Sequence, residues 1–394
     1  MKQEKILFLF EAYGDYCNGN YERFKHFKDI TEKYVNKINL RNFFKKHGRN
    51  YFFVNFINMI VRNKIETLVF ANAPWMYIDL HQIINLKKYC KIIFIVDDCE
   101  EYFEWYQLPF AKLSDRVLVH DFKDVNLFKK NNIDAKFFPQ PSLLTDLLKS
   151  KQVKYENKKF DIFFLGRSDR PGRKKISYDF SKITNSVYFK YSNLEKIKIS
   201  NKEKLKIMLQ SKIHINFSAA SSNKSYFSSY KESKVSNNLK GRIFEAILSG
   251  SLVVTENSPG IDKIFNVSES IFVFNHEEEM KNVINKILNH EFDINKHLIN
   301  SKNCISKYFS KSFYDDCFDL LKEDNNFDIS NIYDKYYEKF LRVYIAKESL
   351  RLLFVFTKML KLKFAFFEIK NFFYHLNSYF FVYIYYYLKT LIFK

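Results

Sequence analysis

The stretch FDIFFLGRSDRPGRKK, Phe160–Lys175, concentrates residue types suited to holding an anion. An apolar run ends in Gly166 and Arg167, and Arg170, Arg173, Lys174 and Lys175 then open what reads as a helix. A glycine at a strand end lets the backbone approach a phosphate, and the N–H groups of a helix N-terminus favour negative charge. Arg167 and Arg173, with Lys174 beside them, could grip a diphosphate from two sides and stabilise it as it leaves a reacting centre. The same residues also fit a plain turn followed by a solvated basic helix.

A second stretch, LKGRIFEAILSGSLVVTENSPGID at Leu239–Asp262, carries Arg242 and Glu245 at i and i+3, on one helix face. A carboxylate there can accept two hydroxyl donors of a ribose, and Arg242 can lie over phosphates. The competing reading is a surface ion pair of little energetic weight. Gly250 follows the helix where a left-handed cap favours glycine. The turn at Pro259-Gly260 brings Ser258, Gly260 and Ile261 toward the same cleft.

A general base, if one is used, would come from the first half of the chain. Glu11 and Asp15 follow the first apolar run, Asp97 and Asp98 follow KIIFIV, and His120 ends RVLVH with Asp121 next to it. Each of these also reads as a helix cap or a satisfied hydrogen-bond partner. Glu11 and Asp98 are taken as the catalytic candidates. No His, Asp or Glu spacing matches a metal site, so neither a metal nor a cofactor is expected.

The elements that must position these residues are short apolar runs alternating with helical patterns. Strands are expected at Lys5–Phe10, Thr67–Ala71, Lys91–Val96, Arg116–His120 and Ala135–Phe138. One long helix is expected at Tyr21–Lys46, with others at Asp79–Tyr89 and Lys123–Asn131. After a Lys-rich linker, Lys149–Lys159, the alternation resumes with strands at Asp161–Leu165, Val187–Tyr191, Lys212–Phe217, Leu252–Thr255 and Ile271–Phe274. Helices are expected at Lys202–Gln210, Leu239–Leu248 and Glu277–Leu288, and the Ser-rich run Ser218–Lys234 reads as a loop on the cleft side. Buried strands alternating with helices give parallel sheets covered on both faces. The fold class is therefore α/β, with two Rossmann-like doubly wound domains facing a cleft, at 1–145 and 158–325, and a basic aromatic helical extension at 330–394.

The 394 residues carry a net charge of +20, which calls for an acidic partner: nucleic acid, an anionic membrane or a phosphorylated small molecule. The basic residues are spread along the chain, with no zinc-finger spacing, RNP-type motif or basic zipper helix, so nucleic acid is the partner least expected. Abundant Phe, Tyr and Lys also follow from A/T-rich codons. Five scattered cysteines without a CxxC pair fit a reduced, cytoplasmic chain. Asn371–Leu388 has no charged residue but is too polar for a membrane span; its Tyr content and flanking lysines suit the anionic surface of a membrane instead.

Taken together, LGR with its basic pair and GRIFEAILSGSLVVTENSPG resemble the donor-domain motifs of the bacterial group 1 glycosyltransferases, which have the GT-B fold. SDRVLVHDFKDVNLFKKNNIDAKFFPQPS is similar to the end of their first domain, and the likeness spans roughly residues 5–322. The resemblance implies transfer of a sugar from a nucleotide-sugar donor to a glycan or lipid-linked acceptor, in surface polysaccharide synthesis at the inner face of the membrane. It implies that Gly166, Arg167 and Arg173 or Lys174 hold the donor diphosphate, with Arg242 over the phosphates. Glu245 would hold ribose hydroxyls, and the loop with Ser258, Gly260 and Ile261 would approach the donor sugar or phosphate. Where retaining members carry a further glutamate eight residues before Glu245, this chain has Asn237, with Glu232 the nearest acid upstream. That departure favours, as an alternative, a non-catalytic membrane-associated binding protein; a second alternative is another enzyme on this fold, such as a nucleotide-sugar epimerase.

Overall fold

In the computed structural model of the chain, the described residues are 5–10, 19–31, 34–71, 77–78, 80–96, 103, 107–166, 184, 187–191, 200–218, 238–318 and parts of 349–373. The apolar runs of the first half form strands β1 (Lys5–Phe10), β3 (Thr67–Ala71), β4 (Lys91–Val96) and β5 (Arg116–Val119). With β2 (Tyr34–Asn39) and β6 (Ala135–Phe137) they make a six-stranded parallel sheet, order β2-β1-β3-β4-β5-β6. Successive side chains of a strand point to opposite faces. Leu7, Leu9, Phe70 and Phe94 thus enter one core while Ile6, Phe8, Val69 and Ile93 enter another. Helices α2 (Leu40–Asn63) and α3 (Leu80–Lys87) cover the first face, and α1 (Gly19–Ile30) lies on the second.

The expected single helix at Tyr21–Lys46 is corrected by the structure, which divides that stretch into α1, β2 and the start of α2. β2 is an edge strand paired only to β1, and Val35 is its one fully buried residue. Asn36 and Lys37 face outward, so the segment lacks the apolar run that marks the interior strands.

The second sheet is also parallel, with order β11-β10-β9-β7-β8. Its strands are β7 (Phe160–Gly166), β8 (Val187–Tyr191), β9 (Ser211–Asn216), β10 (Leu252–Glu256) and β11 (Phe272–Phe274). Helices α4 (Leu108–Leu113), α5 (Phe122–Lys129) and α6 (Leu144–Lys149) belong to the first half. Around the second sheet stand α7 (Asn201–Leu209), α8 (Gly241–Leu248), α9 (Glu277–Leu288) and α10 (Ile294–Ser306). Gly250 has φ 71° just past α8, as expected of that cap.

The linker is less solvated than its lysines suggest. Lys158 is buried and donates to the carbonyl oxygens of Leu209 and Ser249, both at 2.9 Å, at the carboxyl ends of α7 and α8. A cation suits those positions because helix C-termini carry partial negative charge. Burial lowers the Lys158 ammonium to about 8.

Two segments after the second sheet return to the first. Helix α11 (Lys311–Phe318) buries Tyr314, Cys317 and Phe318 against Phe8 and Phe27. Arg23 of α1 is fully buried beneath it, donating from Nη1 to Tyr308 O at 3.0 Å, with its guanidinium 4.0 Å from the Phe138 ring and 4.4 Å from Tyr314. In the extension, Ala365 packs into the core lined by Phe52 and Phe56 of α2, and the Phe364 ring lies against Gly48.

Candidate active site at the carboxyl edge of the second sheet

In open parallel sheets, ligands bind beyond the carboxyl ends of the strands, where the strand order reverses. In the second sheet that reversal falls between β7 and β9. The expected site residues of α8 come to this edge. Arg242 donates from Nη1 to the carbonyl oxygen of Leu165, the residue before Gly166. A small cavity there is lined by Leu165, Lys204, Met208, His214, Asn216 and Arg242. Asn216 is buried, donates to Thr255 Oγ1 at 2.9 Å, and its Oδ1 has no partner among the described residues. His214 is buried against the cavity, and burial, with Lys158 nearby, pushes it down to about 3. It is neutral at any physiological pH.

Glu245 is on the same helix, but Arg242 is not its partner. Its Oε1 accepts the Ser142 N–H at 2.6 Å and the Ser142 hydroxyl at 2.5 Å, and its Oε2 accepts Lys204 Nζ at 2.7 Å. Burial alone would raise this carboxyl; Lys204 and the Ser142 donors outweigh it and hold it below the usual range. Neither sequence reading, an exposed ion pair or a carboxylate open to a ribose, describes this arrangement. The buried Glu245 side chain ties the connector after β6 to α7 and α8, and a ribose would have to displace Ser142 or Lys204. Lys204 carries no motif in the sequence; a lysine in KEKLKIML looks like any solvated helix lysine.

The Ser258–Ile261 turn borders the same edge. Ser258 is buried, and its Oγ finds no partner among the described residues. Gly260 has φ 79°, and a Cβ there would lie 2.5 Å from Phe122 Cβ, so only glycine fits. The Ile261 side chain is buried in the core with Ile243 and Phe265, so only its backbone is left to the turn. Gly241, at the start of α8, touches the connector, for a Cβ there would overlap the Gln140 carbonyl oxygen.

Of the first-half residues, His120 holds Phe138 O at 2.7 Å through Nδ1, a structural role. Asp121 caps α5 through the Lys123 N–H. Arg167, Arg173, Lys174, Asp98 and Glu11 lie outside the described residues, as do Asp15, Asp97, Glu232, Asn237 and residues 219–234. Among the described residues no three of His, Cys, Asp and Glu stand together as metal ligands.

The family described as "Glycosyl transferase-like" matches residues 175–302, a segment containing β8 to β11 and helix α8. An α-glucosyltransferase solved with UDP and a 13-mer DNA containing an HMU base is 13% identical with a TM-score of 0.52, covering 81% of this chain and 98% of its own. HepE of Anabaena, solved with UDP and glucose, is 12% identical with a TM-score of 0.47, over 79% and 96%. A glycosyltransferase of Rickettsia africae is 12% identical with a TM-score of 0.46, over 79% and 96%. No curated protein matches the chain in sequence. Its two parallel sheets and the likeness to the α-glucosyltransferase give the chain the GT-B fold. The segment similar to the glycosyl transferase-like family lies in the second half of the chain.

Proposed function

We propose that the chain transfers a sugar from a nucleoside-diphosphate sugar to a glycan or lipid-linked acceptor, in the assembly of a surface polysaccharide. The observation that carries this reading is the meeting of Arg242 with the carbonyl of Leu165 at the switch point of the second sheet. It sets a guanidinium beside Gly166, where a donor diphosphate would lie against strand end and helix start. Lys204, fixed by Glu245, is the second cation on that cavity. Arg167, with Arg173 or Lys174, would complete the grip on the leaving diphosphate, a role for side-chain cations that needs no metal. Glu11 and Asp98 remain the acceptor-side candidates, and the Ser258–Gly260 turn would face the donor.

Calorimetric titration with UDP and GDP, with assay of nucleotide-sugar consumption, tests the reading. One of the two nucleotides should bind, and Arg242→Ala should weaken it about 10-fold, the usual effect of losing one charge-assisted contact. A chain that binds neither nucleotide and consumes no nucleotide sugar does not have this function.

Work at an anionic membrane surface belongs to the same proposal. No helix among the described residues is long and apolar enough to cross a membrane. Leu362 and Phe366 of the extension are nevertheless 67% and 62% exposed, near Lys363 and Lys370, whose ammonium groups stand over the rings of Tyr51 and Phe366. Exposed apolar side chains interleaved with lysines fit the interface of an anionic bilayer.

A further inference from the structure

We infer that Asp121 is a positioning residue for the donor edge: through it the first domain sets the loop that leads into α8. The inference rests on the reading of that edge as the donor site. Asp121 is 3% exposed, and its carboxylate is shared between two elements. Oδ1 accepts the Lys123 N–H at 3.0 Å, capping α5, and Oδ2 accepts the Leu239 N–H at 2.7 Å, two residues ahead of α8. Lys123 donates from Nζ to Oδ1 of the neighbouring Asn238, whose own N–H donates to Ser218 O at 3.0 Å beyond β9.

Phe122, between those two residues, fills the space that a side chain at position 260 would need. It stacks on Phe137 with centroids 4.3 Å apart, and the Lys263 ammonium stands 5.5 Å from its ring. Three consecutive residues of the first domain, 121–123, therefore hold both loops that border the carboxyl edge of the second sheet. Backbone N–H groups at the start of a helix need acceptors from elsewhere. The N-cap of α8, Lys240, makes no side-chain capping bond, and the loop ahead of it takes its acceptor from the other domain. Donors and cations stabilise a leaving anion best when they are fixed in advance. The donor edge is thus completed by the first domain, and parting the two domains would release it.

Asp121→Asn separates the two roles of the carboxylate. Asparagine caps helices as well as aspartate does, and its carbonyl oxygen can still accept from Lys123. The amide nitrogen that replaces the other oxygen is a donor and would face the Leu239 N–H donor to donor. In the full-length chain, hydrogen exchange of the amides at 238–241 should rise about 10-fold while that of α5 stays as in wild type. Affinity for whichever of UDP and GDP the wild type binds should fall about 10-fold. Lys123→Met, which removes the contact to Asn238 and leaves the cap, should move both readouts the same way by a smaller factor, and supports the inference even if Asp121→Asn folds poorly. Unchanged exchange at 238–241 overturns the inference, as does faster exchange with unchanged nucleotide affinity. A wild type that binds neither nucleotide overturns the donor reading itself, and this inference with it.

Discussion

Lys204 and Glu245 stand 2.7 Å apart with 12% and 1% of their side chains exposed, and Ser142 donates twice to the same carboxylate. One acid thereby joins helix α7, helix α8 and the connector between the domains. Its loss leaves a largely buried ammonium with only the Ser142 hydroxyl as acceptor, and a part-buried N–H without its partner.

Glu245→Ala should therefore cost about 3 kcal/mol of stability. Glu245→Gln, which keeps an acceptor for Ser142, should cost about 1–2 kcal/mol. Lys204→Met on the alanine background should recover part of the loss, a coupling that a double-mutant cycle measures. The folded carboxyl lies below its ordinary value of 4.5, so the stabilisation is complete above that pH and disappears as pH falls through the folded value. Melting temperatures of wild type and Glu245→Gln should converge on acidification. A gap that stays constant through the acid range would refute the ion pair's part.

Arg23 is buried among Phe138, Phe309, Phe313 and Tyr314, with no carboxylate partner among the described residues, and burial lowers its basicity. A planar, weakly hydrated guanidinium tolerates such a cage better than an ammonium does. Arg23→Lys should cost about 2 kcal/mol more than Arg23→Met, because methionine fills much of the space without burying a charge. Arg23→Ala should cost about 3–5 kcal/mol by opening a cavity between α1 and α11. Urea midpoints of the three variants give the order, and a lysine variant as stable as the methionine one would count against the aromatic cage.

Membrane contact through the extension predicts that the chain sediments with vesicles containing phosphatidylserine and not with neutral ones. Leu362→Ser with Phe366→Ser should weaken vesicle binding by about 100-fold or more, because each buried apolar side chain contributes roughly 1.5–3 kcal/mol. Melting should change little, since both side chains already face solvent. Equal binding to neutral vesicles would remove the electrostatic part of the proposal, and binding unaffected by the double substitution would remove this face as the contact.

The interior strands were legible in the sequence because both faces of a parallel sheet are covered. Leu7 and Phe8 must both be apolar although they point in opposite directions, and β1, β3 and β4 keep the bounds read from their residues. The edge strand β2 escaped for the converse reason: with a neighbour on one side only, Asn36 and Lys37 could stay polar. The glycine past α8 and the Pro-Gly turn were legible as well, since a positive φ leaves few residue choices.

What sequence alone determined was thus the local hydrophobic pattern, the two α/β halves and the α8 motif. Partners distant along the chain were decided only in three dimensions. Arg242 and Glu245 share a helix face, yet the first reaches Leu165 and the second Ser142 and Lys204. Asp121 finds Leu239 118 residues away. Spacing along a helix fixes which way a side chain points, but the group it meets depends on how the sheets pack, and no local periodicity encodes that.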